Sequence, residues 1–277
     1  MMNQKMKRNQ SILTIISFLV LLFHLVPFYI LVTTALKAKG DFSSKWVFPR
    51  EWNVQNFSEV WHSANLGPAF VNTAIITVFS ALLLIFFGSM AAYPMARRQT
   101  RLNKFFYYLF ISIMIIPPLT ALVPLYKLVV NIGMMNTYEV AVLNNVAAYM
   151  PLTIFLYAGF IRSTIPKELE EAAKIDGAST LGTFFRIVFP LLKPVTASIL
   201  IISCVYIWND YQFAIFFLQD KSMHTITVTL ASFFGTNQNN LNLVASAAIL
   251  AMLPMTILFL FLQKYFIAGL SAGSVKG

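Results

Sequence analysis

From Asn9 to Leu36 the chain runs without a single Asp, Glu, Lys or Arg. A helix that crosses a bilayer needs about 20 mostly apolar residues, while the apolar core of a secretory signal is only about 7–15 long. The run is therefore too long for a signal peptide, although Lys5, Lys7 and Arg8 precede it, and it is expected to span a membrane over 11–35. The same reasoning places further spans at 69–96, 105–130, 140–161, 194–218 and 243–263. Pro117, Pro118 and Pro124 fall inside the third, so that span must bend or break, which a helix bundle can accommodate.

Composition agrees with a membrane-embedded chain: 58% of the 277 residues are hydrophobic, only 11% are charged, and the mean hydropathy is +0.72. Soluble domains carry about 25% charged residues. A formal net charge of +10 could suggest nucleic acid, but the positions of the basic residues weigh against that reading. With the amino terminus inside, three lie before the first span, four in 97–104, five in 162–193 and two in the tail, against four acidic residues on the same side. The whole excess then sits on one face, as the positive-inside rule requires of a cytoplasmic surface. Both termini are expected to be cytoplasmic. Segment 37–66, with Trp46, Phe48, Trp52, Phe57 and Trp61, is expected along the outer surface, where aromatic side chains prefer the headgroup layer.

The long polar interruption of the second half, Arg162 to Pro194, has the local chemistry of two short helices around a sharp break. Thr164 is a candidate cap, Pro166 stands where a helix tolerates proline, and Glu168, Glu170 and Glu171 place negative charge at the positive end of the helix dipole. Gly177 is suited to the left-handed conformation that ends the first helix. Ser179 can cap a second helix, with Leu181, Phe184, Phe185 and Val188 on one face. A compact docking knob is expected rather than a loose linker.

Within it, Glu171-Ala172-Ala173, three residues, Gly177, nine residues and then Ile187-Val188-Phe189-Pro190 resembles the EAA loop of binding-protein-dependent ABC importer permeases. Asp176, Ala178 and Phe184 look like the variant of that loop found in sugar importers of the maltose type. Ile116-Pro117-Pro118, Pro124-Leu125-Tyr126-Lys127-Leu128, Trp208-Asn209-Asp210 and the tail from Gln263 to Gly277 extend the resemblance over nearly the full chain. It implies an all-α integral membrane protein, a single permease domain over 1–277 of the type I ABC importer fold. Six transmembrane helices and a cytoplasmic helix-turn-helix coupling loop at 162–193 belong to that expectation. By the same resemblance Glu171, Ala172, Ala173, Asp176, Gly177, Ile187 and Pro190 couple to an ATPase subunit. Gly269, Ser271, Gly273 and Lys276, in the tail 264–277, reach the ATPase interface. The implied partners are a second permease, two ATP-binding subunits and an extracytoplasmic sugar-binding protein in the plasma membrane, with no nucleic acid.

Catalysis by the chain itself finds no support. None of the eleven glycines is followed by lysine, so no phosphate-binding G-x-x-x-x-G-K-[ST] loop exists; ATP and Mg belong to a partner. His24, His62 and His224 are scattered, Cys204 is alone, and no metal site is expected. Asp210 is the one carboxylate well inside an expected span, about 25 Å along from Pro194 at 1.5 Å per residue. A carboxylate there costs about 2.5–3.5 kcal/mol on insertion scales, so it either faces a sugar path with Trp208 and Asn209, caps a helix break, or contacts the binding protein at the outer mouth. The function expected is permeation of a sugar or oligosaccharide driven by a separate ATPase. An ion- or proton-coupled secondary transporter is the alternative; such proteins carry ionisable residues deep in several helices.

Overall fold

A computed structural model describes residues 2–41, 43–237 and 239–274, and among these the regular structure is all helical. In chain order the helices are α1 (Met2–Ala35), α2 (Gln55–Ser63), α3 (Leu66–Arg97), α4 (Arg101–Ile113) and, after a 3₁₀ turn at Pro118–Ala121, α5 (Leu122–Asn131). Next come α6 (Tyr138–Thr164), α7 (Lys167–Ile175), α8 (Thr180–Thr183), a π-helical turn at Phe184–Val188 and α9 (Phe189–Leu191). The chain closes with α10 (Lys193–Trp208), α11 (Ala214–Phe217), a 3₁₀ turn at Lys221–Met223, α12 (Ile226–Thr236) and α13 (Leu241–Ser274).

Four stretches are unbroken helices long and apolar enough to cross a membrane: Ile12–Ala35, Leu66–Arg97, Tyr138–Thr164 and Leu241–Tyr265. Two bent pairs raise the number to six if each is one span. Arg101–Ile113 and Pro118–Asn131 meet at 96°, and Thr180–Leu191 and Lys193–Trp208 at 71°. The first bend falls at Pro117 and Pro118, where a missing N–H and the restricted residue before proline both oppose a continuous helix. The fifth span is shorter than the expected 194–218: its helix ends at Trp208, because Asn209 and Asp210 turn their side chains back onto the local backbone.

The chain divides into two compact units, one made of residues up to Leu66 with Leu230–Met252, the other of Gly67–Thr229 with the residues from Leu253 on. The first is tied by polar side chains. Asn56 Nδ2 donates to the carbonyls of Ala35 and Lys37, both at 2.8 Å, and Asn242 Nδ2 donates to Asn56 Oδ1 at 3.2 Å. Lys37, counted in the sequence among outer-surface charges, is 4% exposed. Its Nζ donates to Ser43 O, Ser43 Oγ and Ser44 O at 2.7, 2.6 and 3.0 Å. The same Lys37 therefore closes the turn after α1.

In the second unit α6 is the centre. Its Tyr157, Ala158 and Ile161 are fully buried against Ala92, Phe184, Val188 and Leu192, and the Tyr157 and Thr196 hydroxyls share a hydrogen bond of 2.9 Å. A second core gathers Ile76, Leu84, Val129, Val140, Ile207 and Phe217. Helices in lipid gain little by hiding apolar surface from one another, so close backbone approach is what holds them. Gly88 of α3 supplies it: a Cβ there would overlap the Thr153 methyl of α6.

Candidate functional site

α6 ends at Thr164, because Ile165 precedes a proline and takes an extended conformation, φ −93° and ψ 116°. The cap position of α7 is consequently Pro166, not the Thr164 that the sequence suggested. α7 stops where expected. Gly177 has φ +79°, its N–H reaches Lys174 O at 3.0 Å, and the Ala178 N–H reaches Ala173 O at 2.9 Å, the paired bonds of a Schellman C-cap. Ser179 Oγ then accepts from the Gly182 N–H at 3.1 Å and starts α8.

α7 has two faces with different chemistry. Glu168, Glu171, Ala172 and Ile175 form an outward stripe at helical spacing, and Ile175 is 86% exposed. Glu170 and Ala173 point inward and are buried. Glu170 is the residue that fastens the loop. Its Oε1 accepts from Arg97 Nε at 2.7 Å and its Oε2 from the Tyr93 hydroxyl at 2.8 Å, while Arg97 Nη2 donates to Ile165 O at 2.7 Å. The ion pair is shielded, with the Arg97 and Glu170 side chains 9% and 6% exposed. Arg162 adds a second fastening, Nη2 to Met95 O at 2.9 Å, with its guanidinium 4.3 Å from the centre of the Tyr107 ring. The end of α3, the end of α6 and the whole of α7 thus form one piece. Sequence reasoning counted Arg97 only as a basic loop charge and Glu170 only as dipole complement. Their separation of 73 positions left no local signal of the pairing.

The remaining candidate residues are spread more widely. Asp176 is exposed just past α7, Ile187 is half-buried in the π-helical turn, and Pro190 is exposed on α9. Phe184 and Val188 are buried as the apolar face required, but Leu181 and Phe185 are exposed, 60% and 40%. The π-helical turn inserts an extra residue per turn and rotates the later positions away from the α-helical phase. Trp208 is buried with its ring 5.9 Å from that of Phe70, and Asn209 Nδ2 donates to Val205 O at 2.7 Å. Asp210 Oδ1 accepts from the Phe213 N–H at 3.1 Å, and its carbonyl accepts from Thr227 Oγ1 at 2.7 Å. That is the geometry of a cap at a helix break. α13 carries its helix through Gly269, Ser271 and Gly273 to Ser274, past the expected span end at 263; Lys276 lies outside the described residues. Among the described residues no group of three or more His, Cys, Asp or Glu side chains could hold a metal ion.

The profile of the family described as "Binding-protein-dependent transport system inner membrane component" matches residues 84–271. The chain is 67% identical over 270 residues to the melibiose/raffinose/stachyose import permease protein MelC of Bacillus subtilis strain 168, covering 98% of each. It is 33% identical over 256 residues to the multiple sugar-binding transport system permease protein MsmG of Streptococcus mutans, covering 91% of this chain and 92% of that one. In backbone it matches a chain of a bacterial ABC transporter that imports the acidic polysaccharide alginate. The TM-score is 0.77 at 21% identity, over 94% of this chain and 98% of the other.

Proposed function

The chain belongs to the family of binding-protein-dependent transport system inner membrane components, and we propose that it is the permease subunit of an ATP-driven importer of the melibiose, raffinose and stachyose group. The observation that carries the substrate is the 67% identity to a permease of that name over 98% of both chains. Membership of the family also favours this reading over an ion-coupled secondary transporter.

In this reading the chain pairs with a second permease, two ATP-binding subunits hold ATP and Mg, and an extracytoplasmic sugar-binding protein delivers the substrate. Both termini and the loops at 97–104 and 162–193 face the cytoplasm, where the positive excess belongs. The outward stripe of α7 enters the ATPase: Ala172 allows close approach, Glu171 offers an acceptor, and Ile175 is an apolar tip that the described residues leave uncovered. Ala173, Asp176, Gly177, Ile187 and Pro190 keep that stripe at its angle. Gly269, Ser271, Gly273 and Lys276 reach the interface between the ATPases. When the ATPases close they push α7, and the Glu170–Arg97 pair carries the displacement into α3 rather than letting the loop flex.

Uptake of labelled raffinose tests this. Cells lacking the chain should lose uptake and recover it on re-expression. Proteoliposomes holding the chain alone should neither hydrolyse ATP nor accumulate sugar. Accumulation driven there by a proton or sodium gradient would overturn the proposal.

A further inference from the structure

Both bent spans line one cavity. Pro117 and Pro118 from the break of the first and Tyr206 from α10 of the second border a space of about 520 Å³, to which α6 adds Asn144 and Tyr149 and the turn after α10 adds Phe213. That volume lies in the range of small-molecule sites, about 300–1,000 Å³. Irregular backbone at membrane depth survives only where protein covers it or a cavity takes it up, and in transporters such broken helices border the substrate path.

The side chains give the occupant its chemistry. The rings of Tyr149, near the middle of α6, and Tyr206 lie nearly parallel, 22° apart in plane with centres at 5.8 Å. Tyr206 is 59% exposed although the next two residues of α10, Ile207 and Trp208, are buried. Neither phenol nor the Asn144 amide has a hydrogen-bond partner among the described residues. A lipid tail needs no such groups. A sugar ring presents an apolar C–H face with hydroxyls around its rim, which calls for an aromatic platform flanked by a few unsatisfied donors and acceptors.

We propose that this cavity is a station for the sugar in transit, one ring resting against the Tyr149–Tyr206 pair with its hydroxyls bonded to Asn144 and the phenols. The proposal rests on the permease reading, and it makes this subunit a direct sugar contact at residues other than Trp208, Asn209 and Asp210.

The test uses the assembled transporter with all its partners. Asn144→Cys in a Cys204→Ser background is alkylated by a water-soluble reagent in the nucleotide-trapped complex, with and without raffinose-loaded binding protein. Raffinose should slow labelling about tenfold. In the otherwise unaltered transporter, Tyr206→Ala should lower raffinose turnover about tenfold while Tyr206→Phe, which keeps the platform, retains most of it; both should assemble normally. Labelling that is indifferent to raffinose would overturn the station, as would reaction only with a lipophilic reagent, which means a lipid-facing pocket. Protection from both reagents in the absence of sugar, which means a subunit interface, would overturn it too. Failure of the unaltered transporter to take up raffinose would instead strike the permease reading itself.

Discussion

Removing one charge of the Arg97–Glu170 pair should uncouple the transporter without unfolding it. Both side chains are nearly excluded from solvent, and both carboxylate oxygens are engaged. Glu170→Ala leaves the Arg97 guanidinium facing a void with only the Ile165 carbonyl for company. Deleting one partner of a buried pair costs about 3–5 kcal/mol, because the survivor keeps its desolvation penalty without compensation. At about 1.4 kcal/mol per factor of ten, the docked position of α7 loses at least about a hundredfold in population against undocked ones. The membrane helices are held by packing elsewhere, around Tyr157 and Ile161, so amounts in the membrane should stay near normal. The measurement is ATP hydrolysis by the reconstituted complex with and without sugar-loaded binding protein. Stimulation should vanish in Glu170→Ala and in Arg97→Ala, and the double variant should be little worse than either, since the second deletion removes a charge already stranded. Tyr93→Phe, which removes one hydrogen bond to a charged group, should cost about 1.5–3 kcal/mol and weaken stimulation partially. Full stimulation in Glu170→Ala, or strictly additive losses in the double variant, would refute the idea that this pair holds the loop.

Gly177→Ala meets no atom within 4 Å, so its cost is the left-handed backbone alone, about 1 kcal/mol, and coupling should fall several-fold; Gly177→Val should fall further. Equal uptake by all three forms would make Gly177 an ordinary turn residue. Gly88→Ala should destabilise the α3–α6 contact by about 1–3 kcal/mol, since Thr153 is β-branched and its hydroxyl is committed to Tyr149 O at 2.9 Å; a lowered melting temperature in detergent checks this. Single cysteines at Ser44 and Ser179, in a Cys204→Ser background, should react with an impermeant reagent from opposite sides of the membrane. Reaction of both from outside would contradict the orientation.

Much of the run of spans was legible because bilayers impose a length rule that acts on sequence directly. Gly177 and Ser179 were legible as a stop and a start because capping is local chemistry, settled within a few residues. Glu170 was not. Glu170 and Glu171 are chemically identical, and only the phase of α7 against α3 decides which is buried. The end of the fifth span was hidden for a related reason: an apolar run shows how long a span can be, not where a side chain such as Asp210 will capture a backbone N–H and end it. Phe185 was assigned with a period of 3.6, and the π-helical turn at Phe184–Val188 does not keep that period.

The manner in which α1 is held bears on the order in which the chain is made. From Ile12 to Leu25 its apolar side chains are exposed; only near its end does Thr33 donate to Lys45 O and Ala35 enter the knot around Asn56. The 24 residues of Ile12–Ala35, at a mean hydropathy of 2.6 and about 1.5 Å each, suffice to cross about 30 Å of hydrocarbon unaided. α1 can therefore enter the membrane while the ribosome is still translating the later helices. Asn56 ties its last turn first, and the knot is complete only when Asn242 and Ser246 emerge, 186 and 211 positions after the Asn56 and Ala35 they bond.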